Sequence, residues 1–473
     1  MKRKFLVWTV LIFCAASTYA QDTALTLQKS IEAALANNIP TKQSELLMQN
    51  AGINYKQAKY NRLPNIDGQF NYGQNSGRSI DPFTNGYINQ QLSSSSANTQ
   101  AGLPIFGGFQ LKRLIKQNEF AFATATMEWQ QRKDELILQV ILAYLQILNN
   151  EDALKLALQQ AEVTRLQVER LEIMAKEGAA PPGNLSDLKG QYAGDELAIV
   201  NAENNLESSR VTLTQLMYVP YRPNLTVDRT GFDSTIRLYD ALPDEIYATA
   251  LQQLASVKAS DLRVQTSATA VKVASSNFYP TISLYGILNT NYSSAASMLK
   301  NTGVTEVPSG DYVVVNGANL PVITQQNKFA NEKISYGSQF NNNLSTAYGV
   351  SLRIPIFNNL RNHSNVKLAK NEEKNSRLIA ENIKFQLKQS IELAYINIST
   401  AYKRYTTLQH QAAAYAESFR IAAIRFENGA INSPEYLIAK NNLEQTNATL
   451  ITTRYEYLLR TKVLDFYMGR LKY

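Results

Sequence analysis

The sequence is poor in the residues from which most catalytic and metal sites are built. Among 473 residues it has one cysteine, Cys14, and two histidines, His363 and His410. The histidines lie 47 positions apart, without the Glu-x-x-His spacing that marks a metal-binding helix. No Gly-x-x-x-x-Gly-Lys-Ser/Thr run is present to cradle a nucleotide phosphate. We therefore expect neither an enzyme nor a cofactor or metal site.

Long apolar runs are also scarce, and the clearest one lies at the N-terminus. Residues 2–4 are basic, Phe5–Ala16 is mostly apolar, and Ala20 is the small residue that a signal peptidase requires. This pattern is typical of a secretory signal peptide. We expect residues 1–20 to be removed from the mature chain.

Two other interpretations of this segment are a signal anchor and a lipoprotein signal. The apolar run is too short to span a bilayer, and the bulky Phe13 stands where a lipoprotein signal needs a small residue before Cys14. No later stretch reaches eighteen uninterrupted apolar residues. A membrane role would therefore have to use β-strands.

Basic residues are spread along the chain and form no cluster. The formal net charge is +8, and three of the positive charges, Lys2, Arg3 and Lys4, lie in the predicted signal peptide, which leaves +5. Nucleic-acid-binding proteins concentrate their basic residues on one face or helix. No nucleic-acid partner is expected.

The chain repeats itself. Pro104–Phe106 recurs 251 positions later as Pro355–Phe357, and Gly178 recurs at the same offset as Gly429. Upstream the offset is 216, and the matches there are Lys56, Ala58, Asn61, Pro64 and Ile66 with Lys272, Ala274, Asn277, Pro280 and Ile282. Such a pattern indicates a tandem duplication. Because the offsets differ by 35, we expect a loop of that extra length in the second copy.

Each repeat is predicted to contain a helix, a strand, a loop, a second strand, a very long helix, a tight turn and a return helix. The first repeat occupies 21–218 and the second 244–473. The segment 219–243 holds three prolines, and is predicted to be an equatorial linker that packs across the helices.

The long helices are predicted at about 108–177 and 359–428. These stretches lack proline, and their apolar residues recur at steps of three, four or seven, as in a coiled-coil seam. At 1.5 Å per residue, each helix would be roughly 105 Å long. Gly178 and Gly429 should end them in left-handed caps.

Return helices are predicted at about 185–217 and 434–467. The second begins at Ser433-Pro434-Glu435, which we interpret as an N-cap serine, a proline in the first turn and an acid near the positive end of the helix dipole.

Strand pairs are predicted at about 65–106 and 280–357. Apolar and polar residues alternate there; Ile66 and Phe70, for example, flank Gln69. Outer-membrane barrels use such strands, with apolar residues facing lipid and polar residues facing the lumen. An antiparallel sheet half-buried on a soluble core would show the same alternation.

The signal peptide and the Asn-, Ser- and Gly-rich loops 74–95 and 293–343 favour the barrel. Two hairpins give only four strands, so a membrane role requires oligomers whose strand edges pair. A dimer would have eight strands and a trimer twelve, and a passable lumen needs the larger number. Arg353 is a candidate for lining that lumen.

The order and spacing of these features resemble the TolC family of outer-membrane factors. The resemblance rests on Leu-Pro-Ile-Phe at 103–106, Ile-Pro-Ile-Phe at 354–357, and the glycine turns at 177–179 and 428–430, and it covers essentially the whole mature chain. It implies a mainly α fold with a membrane β-barrel contribution. Three chains would form a twelve-stranded barrel in the outer membrane and a twelve-helix tunnel in the periplasm.

The same resemblance implies a function and partners. The protein would be the exit duct of a tripartite efflux or type I secretion system, which passively conducts small molecules or proteins to the exterior. Its partners would be a periplasmic adaptor and an inner-membrane pump of the RND or ABC type. A secreted coiled-coil stalk or adhesin is the alternative, although it would not explain strand pairs at equivalent points of both repeats.

In that family, acidic residues ring the periplasmic entrance just beyond the glycine turns. Glu435 matches one such position, and Asp187 is its counterpart in the first repeat if that repeat carries a three-residue insertion; each could instead only favour its helix N-terminus through the dipole. The family's latch uses a tyrosine and an arginine where this chain has Phe426 and Ile431. Closure is therefore expected to rest on apolar packing at these two residues.

Overall fold

The fold is given by a computed structural model, which describes residues 24–80, 85–89, 91–178, 181–223, 225–230 and 236–471. The predicted signal peptide, 1–20, lies outside the described residues. Two compact units divide the chain. One comprises Met1–Ile53, Glu119–Thr266 and Glu373–Tyr473, and the other comprises Asn54–Asn118 and Ser267–Glu372. We call them the helical unit and the sheet unit.

Most of the described chain is helical. The helices are α1 Leu27–Asn37, α2 Ile39–Tyr60, α3 Gln110–Lys176, α4 Pro182–Met217, α5 Pro243–Gln253, α6 Ala255–Ser276, α7 Tyr336–Asn342, α8 Arg361–Glu427 and α9 Ser433–Tyr467. None of these helices has a stretch that is long and apolar enough to cross a membrane.

The strands are shorter and lie between the helices along the chain. They are β1 Asn65–Asn75, β2 Arg78–Ile80, β3 Tyr87–Asn89, β4 Leu92–Gly107, β5 Thr281–Ser293, β6 Ser297–Val315, β7 Ala318–Lys333 and β8 Ser345–Arg353.

The duplication is visible in the element boundaries. Helices α5 and α6 begin and end 216 positions after α1 and α2, and α8 begins and ends 251 positions after α3. Helix α9 also begins 251 positions after α4, at Ser433 and Pro182 respectively. The return helix of the first repeat thus starts three residues before its predicted position, because Pro182 suits the first turn of a helix.

The two longest helices, α3 and α8, contain 67 residues each, which corresponds to about 100 Å at 1.5 Å per residue. Their apolar seams meet in the core of the helical unit, where Val140, Ile141 and Tyr144 of α3 are buried together with Ile391 and Ile398 of α8. Burying apolar side chains of this size contributes about 1.5–3 kcal/mol each. Tertiary packing therefore stabilises helices of this length.

The linker between the repeats contacts the helices at several points. Val227 forms a parallel bridge with Leu25, and the buried Tyr144 hydroxyl lies 2.7 Å from the Leu25 carbonyl oxygen and 2.6 Å from that of Asp228. Farther along, the Tyr239 hydroxyl donates to an Asp465 carboxylate oxygen of α9 at 3.1 Å. The two Tyr144 bonds thus hold backbone from the start of the first repeat and from the linker against α3, and the Tyr239 bond holds the linker against α9.

The main sheet has four antiparallel strands in the order β1-β4-β5-β8. Its pairing places residues of like polarity side by side. One row across all four strands is Ile66, Ala101, Gly286 and Tyr348, and a row on the opposite face is Gln69, Asn98, Asn289 and Ser345. The first face is apolar, yet its large side chains are exposed in the single chain.

The segment between β5 and β8 differs from the prediction. We expected a loop at 293–343, whereas β6 and β7 form a long two-stranded ribbon there, followed by the short helix α7. Asn316 and Gly317 join the strands with φ values of 54° and 81°. An Asn-Gly pair with both φ values positive is the preferred type I′ hairpin turn. That dipeptide was the sequence signal for the hairpin, and the prediction of a loop overlooked it.

Candidate functional site at the helical turns

Both long helices reverse at a glycine in the left-handed conformation. Gly178 and Gly429 have φ values of 70°. After α8, the Gly429 amide donates to the Phe426 carbonyl at 3.0 Å and the Ala430 amide to the Arg425 carbonyl at 2.8 Å. This is a Schellman-type cap, which satisfies carbonyls that the helix end would leave without partners.

Alanine at either glycine should destabilise the turn. A non-glycine residue in the left-handed region costs about 1–2 kcal/mol, while open space around both positions leaves no steric clash to add. We expect Gly429→Ala to lower the free energy of unfolding by about 1 kcal/mol in denaturant titrations. Gly190→Ala, in the interior of α4, serves as the control, since alanine there should stabilise the helix. Equal destabilisation by both changes would contradict this account.

The start of α9 differs from the prediction. We expected Ser433 to be the N-cap, whereas Asn432 is the cap and accepts a hydrogen bond from the Glu435 amide at 3.0 Å. Asparagine caps as well as serine does, and here it stands one residue earlier. Ser433 is fully buried and is thereby available for a different contact.

Ser433 joins the two helical hairpins. Its hydroxyl oxygen lies 2.6 Å from an Asp187 carboxylate oxygen and 3.0 Å from the Asn184 side-chain oxygen, both on α4. Hydrogen bonds to a carboxylate are stronger than neutral ones. Asp187 is the sixth residue of α4, outside its first turn, whereas Glu435 lies in the first turn of α9. The positive end of the helix dipole therefore stabilises the negative charge of Glu435 more than that of Asp187.

An apolar cluster lies beside this bond. It is built from one buried residue of each long or return helix, namely Leu171, Leu188, Phe426 and Tyr436. The rings of Phe426 and Tyr436 stack with centroids 4.7 Å apart and planes at 20°. Ile431 is half-buried and packs against the same cluster. The two apolar positions singled out in the sequence thus belong to one packed group.

Tyr436 is 1% exposed, and its hydroxyl has no hydrogen-bond partner within the described part of the chain. Burial raises the pKa of this hydroxyl to about 12, with smaller contributions from the negative charges of Glu444, Glu427 and Asp195. A phenol in such surroundings stays neutral. Its role here is to fill space between the hairpins.

A cavity of about 400 Å³ opens at the hairpin ends. Its lining combines apolar residues with charged ones: Gln167, Arg170, Leu171, Met174, Pro181, Asn184, Phe426, Glu427, Gly429, Ala430, Ile431, Asn432 and Glu435. An ion pair between Arg170 and Glu427, 3.1 Å long, crosses from one hairpin to the other. The acids Asp187 and Glu435 are both exposed near this opening.

Farther along the same helices, a lysine is buried in an ionic network. Lys440 is 2% exposed; its ammonium lies 3.0 Å from Asp195 of α4 and 2.5 Å from Glu444 of α9. Thr164 of α3 also bonds Asp195. Burial raises the pKa of Glu444, although Lys440 opposes the shift. The sequence signal for this lysine was its position four residues after Tyr436, on the same helix face.

The lumen candidate Arg353 lies elsewhere, in the sheet unit. It ends β8, pairs with Thr281 of β5, and is exposed on the same face as Ser351. It borders a cavity of about 540 Å³ together with Asn277 and Tyr279. Arg353 therefore belongs to the sheet unit, whereas the entrance candidates Asp187, Glu435, Phe426 and Ile431 belong to the helical unit.

In the described ranges between residues 24 and 471, no group of three or more His, Cys, Asp or Glu side chains is arranged to hold a metal ion.

Known proteins resemble this chain in family pattern and in fold. The family model described as outer membrane efflux protein matches residues 30–217 and 246–470. A comparison with curated proteins finds no match.

Among solved structures, the CmeC outer membrane channel of Campylobacter jejuni matches with a TM-score of 0.74 and 16% identity, over 94% of this chain and 86% of that one. The open state of the MtrE outer membrane channel of Neisseria gonorrhoeae matches with a TM-score of 0.71 and 16% identity, over 94% of this chain and 88% of that one. The outer membrane protein VceC of Vibrio cholerae matches with a TM-score of 0.70 and 14% identity, over 93% of this chain and 94% of that one. These likenesses establish the fold.

Proposed function

Because this chain belongs to the outer membrane efflux protein family, we propose that it is the exit duct of a tripartite efflux or type I secretion system. Three copies form one channel, and cargo crosses it passively from a periplasmic pump to the exterior. The observation that carries this proposal is the four-stranded sheet whose large apolar side chains are exposed on one face while polar residues occupy the other.

The sheet requires partners if it lies in a membrane. Strands β1 and β8 stand at its two edges, and an unpaired strand edge in lipid leaves backbone groups without hydrogen bonds. Four strands cannot close on themselves, and twelve enclose a passable lumen. Three copies supply that number. In this arrangement the apolar face meets lipid, and the polar face with Arg353 lines the lumen.

The turns of the helical hairpins form the periplasmic entrance. The Ser433–Asp187 bond and the packing of Phe426 and Ile431 hold the hairpins of one chain together at this end, and so favour a closed entrance. Asp187 and Glu435 ring the opening with negative charge. Since the chain has no nucleotide-binding motif, transport energy comes from an inner-membrane pump of the RND or ABC type, joined through a periplasmic adaptor.

Conductance of the detergent-purified protein in planar bilayers tests the proposal. We expect discrete openings with a cation preference. Glu435→Gln should reduce that preference because it removes a charge at the entrance and leaves the amide cap of Asn432 in place. Glu456→Gln, distant along α9 and paired with Arg404, is the matched control.

A protein that is electrically silent and remains soluble without detergent would instead support the coiled-coil stalk. Openings with an unchanged ion preference in Glu435→Gln would retain the channel and limit this acid to favouring its helix N-terminus.

A further inference from the structure

A single tyrosine lies on the polar face of the main sheet. Tyr285 of β5 pairs with Gly102 of β4 on one side and with Gly349 of β8 on the other. Across the four strands of this sheet that the structure describes, no other aromatic residue shares the face of Tyr285, which consists mainly of asparagine, glutamine, serine and glycine. The one aromatic ring on this face is thus flanked by two residues that have no side chain.

The ring lies along the sheet, over Gly349. A Cβ atom at Gly349 would be 2.7 Å from the Tyr285 hydroxyl oxygen and 2.9 Å from the ring carbon that carries this oxygen. Side chains in strands usually stand perpendicular to the sheet, and an upright ring would hold its hydroxyl far from the neighbouring backbone. A side chain at position 349 would therefore collide with the ring in its present orientation.

The backbone itself does not require either glycine. Gly102 and Gly349 lie inside strands, and neither has a positive φ value. Glycine inside a strand is about 0.5–1 kcal/mol less favourable than alanine, and it often marks a place where another group approaches closely. At Gly349 that group is the ring of Tyr285. A Cβ atom at Gly102 would meet nothing within 4 Å, so the ring has open space on that side as well.

We propose that Tyr285 determines the width of the barrel lumen, and that Gly102 and Gly349 allow its ring to lie flat against the sheet, out of the path of cargo. The inference rests on the proposed function, in which this face lines the lumen of a trimer. In a symmetric trimer the same residue of each copy lies at the same height. Three rings that stood upright would therefore narrow the lumen at one level.

The surroundings of the ring support this role. Ala347 and Ser351, the nearest residues to Gly349 on the same face of β8, are both small. Tyr285 is 42% exposed, so its ring is in contact with the lumen and is not enclosed by neighbouring side chains. No large side chain on this part of β8 has to move when the ring rises.

Filling the space on both sides of the ring tests the proposal in full-length protein. The test variant carries Gly102→Ala and Gly349→Ala, because alanine at Gly349 alone would leave the ring the space over Gly102. Both positions have strand backbone that alanine adopts, so the sheet should still form. The same two changes in a Tyr285→Ala background are the matched control, since they add the same methyl groups without the ring. Thermal unfolding in detergent checks that each variant is folded.

We expect the test variant to lower the single-channel conductance in planar bilayers about twofold, since conduction depends on the diameter of the pore. The largest polyethylene glycol that enters the lumen should also become smaller. In the Tyr285→Ala background the two alanines should change neither quantity. Equal losses with and without the tyrosine would show that the methyl groups narrow the lumen by themselves, and would overturn the proposal, as would an unchanged conductance in the test variant.

Tyr285→Ala alone gives a second test that leaves both glycines in place. It should raise the conductance only slightly, because the flat ring already lies out of the path. A severalfold increase would contradict the proposal, since it would show that the ring blocks the lumen in the wild type. In all these cases openings of the wild type retain the proposed function, whereas a wild type without openings would overturn that function and this inference together.

Discussion

Replacing Lys440 by alanine is expected to lower the free energy of unfolding by about 3–5 kcal/mol, because the change leaves carboxylates buried without their cation. Asp195 lies 3.0 Å from the lysine ammonium and is itself buried. Glu444 is also largely buried, and that burial already raises its pKa. Chemical denaturation of the purified protein in detergent, followed by helical circular dichroism, measures the loss.

Two further variants distinguish a buried network from an ordinary ion pair. Arg420→Ala removes the partner of Glu417 in an exposed pair on α8, and should change stability little, since water and salt screen such pairs. The triple variant Lys440→Met, Asp195→Leu and Glu444→Met replaces the whole network by apolar side chains. It should regain most of the lost stability, because burying no charge avoids the desolvation penalty.

A loss in Lys440→Ala no larger than that in Arg420→Ala would show that water reaches the network. Failure of the triple variant to recover would show instead that the network contributes through its hydrogen bonds, including that of Thr164 to Asp195. The small loss in Lys440→Ala would contradict the explanation that a buried charge is left unpaired. Failure of the triple variant would change only the reason why the network stabilises the fold.

Much of the fold could be predicted because its signals are local or repeated. Glycines at 178 and 429 and the absence of proline before them fix where the long helices turn. The repeat then supports each element with a second copy. The outer membrane efflux family match confirms the predicted fold class and the resemblance on which it was based.

The errors arose where two local signals competed. Both Asn432 and Ser433 are good caps, and propensity alone could not decide between them. The choice depends on α4, whose Asp187 and Asn184 occupy the Ser433 hydroxyl. The β6–β7 ribbon was missed for a different reason: its Asn-Gly turn lies in a segment rich in polar residues, which was interpreted as a loop.

The candidate site was predicted only in part. Asp187, Phe426 and Ile431 could be chosen from their distance to the glycine turns, and they lie close to one another in the structure. Tyr436 and Lys440 could not be identified in this way, because their importance comes from packing between helices that are more than two hundred residues apart in sequence. Periodicity marks such residues as facing the seam, without showing what they contact.

Phe426→Ala is expected to raise the time-averaged conductance of the channel about tenfold or more. Truncating a buried phenylalanine costs about 3–5 kcal/mol. If one third of that free energy destabilises only the closed state of the entrance, the population of the open state rises about tenfold, because each 1.4 kcal/mol is a factor of ten. The ring of Tyr436 would lose its stacking partner. Polar contacts would then hold the hairpins together at this end, among them the Ser433–Asp187 bond and the Arg170–Glu427 ion pair.

Single-channel recordings in planar bilayers measure this change. Ile438→Ala is the matched control, because Ile438 is 62% exposed on α9, only two residues from Tyr436. Adding Ser433→Ala to Phe426→Ala should increase the conductance further, since it removes one of the remaining hydrogen bonds between the hairpins. Equal conductance in Phe426→Ala, Ile438→Ala and the wild type would mean that contacts between copies, and not packing within one chain, determine whether the entrance is closed.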